Sequence, residues 1–143
     1  MRIELQIGKQ GKDLRIFLLS FFKYKRQSIV KFIVDTGSPF SLLSEADAKR
    51  IGLSINRSQV DKSASGLGGI NNKVNLKSID KVEIKVKSDD GYKTFKPKEF
   101  WLSYSPRTNS TVFHSLIGLD FLNEQRLKLV VNIPNNEAYL ESV

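Results

Sequence analysis

The sequence predicts an all-β fold with one or two short helices. Short runs alternate apolar and polar residues with the period of a half-buried strand. Gly, Asn, Asp and Ser clusters punctuate these runs. Helix signals are confined to two brief stretches. The 143 residues fit one domain, 1–143, long enough to bury a core without disulfide or metal staples.

The elements follow in chain order. Residues 2–7 (RIELQI) alternate and read as a strand, with a turn over Gly8 to Lys12. Residues 14–22 form a second, apolar strand, and the basic run Lys23–Arg26 turns the chain. Residues 28–34 (SIVKFIV) form a third strand that ends against Asp35. A helix follows. Ser44 is a good N-cap, Glu45 and Asp47 suit the first turn, and Lys49 and Arg50 suit the last. Gly52 stands where a C′ glycine stops a helix. Residues 63–71 (SASGLGGIN) read as a loop or hairpin tip. Val82, Ile84 and Val86 alternate, and Asp90-Gly91 is a type I′ hairpin signal. Phe95 to Tyr104 returns as one strand, and residues 105–111 make a polar loop. Residues 112–117 are apolar apart from one hydroxyl and one histidine position, and Asp120 to Gln125 reads as a short helix. Leu127, Leu129 and Val131 alternate, Asn135-Asn136 turns the chain, and Ala138 to Val143 closes it as a strand.

Composition narrows the chemistry. The chain has no cysteine and a single histidine, His114. Thiolate sites and disulfides are excluded, a zinc site lacks donors, and no metal or cofactor is expected. His114 reads as a core or loop residue. The Gly66–Gly69 stretch lacks the Gly-Lys-Ser/Thr ending of a phosphate-binding loop. The N-terminus has no apolar signal region, which points to a cytoplasmic protein. The longest apolar stretch, residues 16–22, is far shorter than the ~20 residues a bilayer span needs, so no membrane role is expected. Net charge is +8, but the lysines are dispersed along the chain, mostly at alternate strand positions. They read as solvated faces, and no nucleic-acid partner is expected. Phe95, Phe100, Trp101 and Tyr104 read as strand-packing residues, with a groove lining as the alternative.

One segment points to chemistry. Ile33-Val34-Asp35-Thr36-Gly37-Ser38 delivers an acid from an apolar strand straight into a tight turn. A glycine there lets backbone approach closely, and its amide can donate to the carboxylate. The Thr36 and Ser38 hydroxyls can fix the turn and orient the acid. Read from residues alone, this is either a capped β-turn or a catalytic turn.

The run FIVDTGSPFSLLS resembles the active-site turn of the retropepsin-like aspartic peptidases, single-domain relatives of the pepsins. Leu116-Ile117-Gly118 followed by Leu119-Asp120-Phe121-Leu122 resembles the apolar-apolar-Gly signature before that family's short C-terminal helix. Gly66-Leu67-Gly68-Gly69, with Ile70, sits where the family carries its substrate-covering flap. The resemblance spans roughly residues 28–143. It implies an acid-protease fold, a closed barrel, and an aspartic endopeptidase. Asp35 would be the catalytic carboxylate. Thr36, Gly37 and Ser38 would support the turn: Thr36 by bonding across a dimer axis, Gly37 by donating to the carboxylate, and Ser38 by giving its hydroxyl to it. Ile117 and Gly118 would support the site from beneath. Asp120 is read as a partner for a nearby positive group. Pro39 after the turn and a flap without tyrosine depart from the pattern.

Such chemistry needs two carboxylates, and the sequence holds one such turn. Asp89-Asp90-Gly91 follows Lys87 and Ser88, so it reads as a solvated hairpin turn. A twofold homodimer that pairs two copies of Asp35 is therefore the expectation, with a peptide or protein as substrate. The alternative is a non-catalytic dimeric peptide-binding module of the same fold.

Overall fold

The structure, a computed structural model, describes residues 1–65, 73–105 and 114–143. The strands are β1 (Arg2–Glu4), β2 (Gln6–Gln10), β3 (Asp13–Tyr24), β4 (Arg26–Val34), β5 (Leu42–Leu43), β6 (Lys62–Ser65), β7 (Lys73–Ile79), β8 (Glu83–Ser88), β9 (Gly91–Phe95), β10 (Phe100–Tyr104), β11 (Leu116–Ile117), β12 (Leu127–Asn132) and β13 (Glu137–Ser142). The helices are α1 (Glu45–Arg50) and α2 (Leu119–Glu124). No described helix is long and apolar enough to cross a membrane.

The strands form two sheets. One has three strands in the order β1-β13-β12. The other has ten, in the order β6-β7-β10-β5-β11-β4-β3-β8-β9, with β2 on β3. The expected all-β class holds, but the barrel is not closed. Its end strands, β6 and β9, stand at opposite ends of the order. At one end, β9 exposes Tyr92, Lys93 and Thr94, and a lysine-bearing edge discourages further pairing.

Two cores lie on either side of the large sheet. Phe22, Phe32 and Phe100 anchor the larger one, with ring centroids 5.6–6.0 Å apart. Phe17, Ile33, Leu42, Val74, Leu76, Trp101 and Leu116 form the smaller one. The end of β4 serves both cores: Phe32 and Val34 point into the first and Ile33 into the second. Burial on both faces explains the unbroken apolar run before Asp35.

Several boundaries differ from the sequence reading. The first strand breaks at Leu5, and β2 continues through Gly8, so the turn is only Gly11-Lys12. Gly11 takes a positive φ of 62°, which glycine adopts without strain. The β8–β9 turn is Asp89-Asp90, one residue earlier than expected, with Ser88 opposite Gly91. Phe95 to Tyr104 is two strands rather than one. Pro97 falls in the break, where its missing N–H cannot serve a ladder. After it, β10 joins β7 and β5 rather than β8. The helix over residues 45–50 forms as expected, with the Ser44 hydroxyl accepting from the Asp47 amide at 3.1 Å.

Candidate active site

Asp35 follows directly on β4. Its amide donates to the Ile117 carbonyl at 2.9 Å, and the Ile33 amide donates to the Ser115 carbonyl at 2.9 Å. The parallel pairing of β4 with β11 thus continues to the acid itself. The carboxylate is half-buried, while Thr36 and Gly37 are exposed. The Gly37 amide donates to Asp35 Oδ1 at 2.9 Å, and the Ser38 amide closes the turn on the Asp35 carbonyl at 3.1 Å. Gly37 therefore sits as the sequence suggested. Ser38 does not: its hydroxyl donates to the Phe40 carbonyl at 2.8 Å and accepts from the Phe40 amide at 3.3 Å. Buried at 1% exposure, it fixes the chain after the turn rather than the carboxylate.

Ile117 and Gly118 lie beneath the turn, both buried. The Leu119 amide donates to the Ser38 carbonyl at 2.9 Å, and the Gly118 amide donates to Ser41 Oγ at 2.8 Å. A Cβ on Gly118 would stand 2.5 Å from the carbonyl oxygens of both Ser38 and Phe40. Only glycine lets these segments meet.

Asp120 is the residue whose role the sequence misassigned. It faces no cation. Its carboxylate accepts from the Ser41 hydroxyl at 2.6 Å, the Ser41 amide at 3.1 Å and the Phe121 amide at 2.7 Å. The N-cap of α2 is Gly118, with no side-chain cap, so Asp120 supplies the acceptor in the first turn. Ser41 was missed: nothing local distinguishes it from the chain's other serines, and its partner is 79 residues away. Ser115 was missed for the same reason. It donates to Asp47 at 2.5 Å and accepts from the Ser44 amide at 2.9 Å, locking α1 against β11.

The expected flap residues Gly66, Leu67, Gly68, Gly69 and Ile70 lie outside the described residues. The flanking strands β6 and β7 pair antiparallel, with Ser65 opposite Lys73. At their base, Phe40 meets Trp101 edge-on at 5.8 Å, and the Lys62 ammonium lies 4.5 Å and 4.8 Å from those two rings. Trp101 thus joins the site-side core, while Phe95, Phe100 and Tyr104 are buried elsewhere in the packing. On the other side of the turn, Thr36 borders a groove of about 580 Å³ lined by Leu119, Leu122, Leu127, Leu129 and Val143 among others.

A β protein that delivers one carboxylate from a buried strand into an Asp-Thr-Gly turn, braced by an Ile-Gly segment, belongs to the acid-protease class. The chain matches the aspartyl protease family over residues 26–121, and it belongs to that family. No curated protein matches it. Among solved structures, it is similar to a retropepsin-like aspartic protease from Rickettsia conorii, at 16% identity and a TM-score of 0.56, covering 98% of this chain and 87% of that one. It is also similar to EIAV protease complexed with the inhibitor HBY-793, at 16% identity and a TM-score of 0.50, covering 87% of this chain and 100% of that one. The fold is retropepsin-like.

Proposed function

We propose that the chain is an aspartic endopeptidase active as a twofold homodimer, with one Asp35 from each protomer. The observation that carries this reading is the Asp35 turn: a half-buried carboxylate held by the Gly37 amide at 2.9 Å, with Thr36 exposed beside it. Two such turns facing each other bring their carboxylates close. Like charges in that position share one proton. The ionised member takes a proton from the water between them as its oxygen attacks the scissile carbonyl carbon. The protonated member gives its proton to the carbonyl oxygen. Collapse of the tetrahedral diol breaks the C–N bond: one carboxyl gives its proton to the leaving nitrogen while the other carboxylate takes a proton from a diol hydroxyl. This leaves the product carboxylic acid and restores the singly protonated pair. The pair titrates as a unit. The apolar groove beside Thr36 supports a second copy there, since a twofold contact places the same patch on both partners.

The test is a digest of a denatured protein at acidic pH, with wild type and Asp35→Asn side by side. Wild type is expected to cut, and the variant to lose at least ~100-fold in rate, the scale of general acid–base catalysis. Equal cutting by both proteins would remove Asp35 from the chemistry. No cutting by either would favour a peptide-binding module.

A further inference from the structure

Lysines dispersed in the sequence come together on one face of the large sheet. Along β3, Leu18, Ser20 and Phe22 are buried while Leu19, Phe21 and Lys23 point outward. Register extends that face across four strands. Ile29 of β4 lies opposite Phe21, and Phe21 lies opposite Lys85 of β8. Lys85 in turn lies opposite Thr94 of β9. Beside this row, Lys31 lies opposite Leu19, and Lys87 lies opposite Tyr92.

The four apolar residues are far from buried: Leu19 is 51% exposed, Phe21 37%, Ile29 53% and Tyr92 60%. The Phe21 and Tyr92 rings lie 6.3 Å apart, and the Lys85 ammonium sits 4.9 Å from the Tyr92 ring centre. Lys23 and Lys96 both engage Glu83 at 3.5 Å, and Glu4 and Asp89, which line a cavity with Leu19 and Lys87, are each engaged by Arg2. Lys31, Lys85 and Lys87 make no ion pair among the described residues.

We propose that this face binds a single strand of nucleic acid, with bases on Phe21 and Tyr92 and phosphates on Lys31, Lys85 and Lys87. Charge selects a polyanion. The arrangement selects its kind: the Phe21 and Tyr92 rings lie together, with lysines on both sides of them. A single strand offers bases to stack and phosphates to pair, and aromatic faces accept any base. Lys31, the nearest of these residues along β4, lies four residues from Asp35, roughly 13 Å along an extended strand. The face is therefore separate from the Asp35 turn.

The test is fluorescence anisotropy of a short labelled oligothymidylate across a salt series. Wild type is expected to bind at low salt, with log K falling against log salt at a slope of about −2, the value for three phosphate contacts on a single strand. The triple variant Lys31→Glu/Lys85→Glu/Lys87→Glu should lose at least ~10-fold in affinity and most of the slope. Tyr92→Ala should weaken binding about 5- to 150-fold, the range for one stacked base, and Tyr92→Phe should retain it. Circular dichroism establishes that each variant is folded. Lys12→Glu/Lys49→Glu/Lys98→Glu makes the same charge change elsewhere and should bind better than the face triple. Absence of oligonucleotide binding by wild type would overturn the proposal, as would equal losses in the two triples. So would a face triple that releases the protein from phosphatidylserine vesicles while leaving oligonucleotide binding unchanged.

Discussion

At the Asp35 turn, single atoms decide what is tolerated. Gly118 is packed against two carbonyl oxygens that cannot move without opening the turn, since each belongs to backbone already held by hydrogen bonds. Gly118→Ala is expected to destabilise the protein by about 1–3 kcal/mol, the usual cost of overpacking, and to lower the thermal midpoint; an unchanged midpoint would show that the contact yields. Ser38 gives a different expectation from the one its place in the motif suggests. With its hydroxyl on Phe40, Ser38→Ala should leave the pH profile of peptide cleavage in place and cost about 1 kcal/mol of stability in urea unfolding. A shifted profile at full stability would return the hydroxyl to the carboxylate. The Asp35–Ser38 motif and Ile117-Gly118 were readable because each is local: an acid, a hydroxyl or a glycine in a fixed order after an apolar run. Ser41 was not, because its significance rests on Asp120, which the fold alone brings to it.

For whole elements, periodicity revealed long strands and lost short ones. The alternation in β8 survives because one face of that strand is solvated. The strands β5 and β11 have two residues each, too few for any period, yet β11 is what braces Asp35. The division of β9 from β10 was marked by Pro97, but the partner of β10 was not, since pairing with β5 and β7 depends on the path of the whole sheet. At the end of β10, the Tyr104 hydroxyl donates to the Gln59 carbonyl and the side chain is buried. Burial raises its pKa above the ordinary phenol value, and Asp61 adds to the effect. A phenol harder to ionise when folded contributes stability that is complete below its unfolded pKa, about 10. That contribution is lost as pH rises through the higher folded value. The thermal midpoint of wild type should therefore fall more steeply above about pH 10 than that of Tyr104→Phe. Parallel curves would exclude Tyr104 as the cause.

For the molecule as a whole, the architecture gathers one carboxylate turn and leaves it half-exposed at a surface. The all-β class followed from composition and pattern. The open edge at β9 did not, because closure depends on whether distant strand ends meet. The separate sheet β1-β13-β12 joins the two ends of the chain, a pairing no local signal announces. In the proposed homodimer, activity is a property of two chains. The most direct measurement mixes wild type with Asp35→Asn at fixed total concentration, above the level needed for association, and follows peptide cleavage against the wild-type fraction. If both carboxylates are required and protomers exchange freely, activity falls as the square of that fraction, because every mixed dimer is inactive. A linear fall would mean that each chain acts alone and would contradict the account.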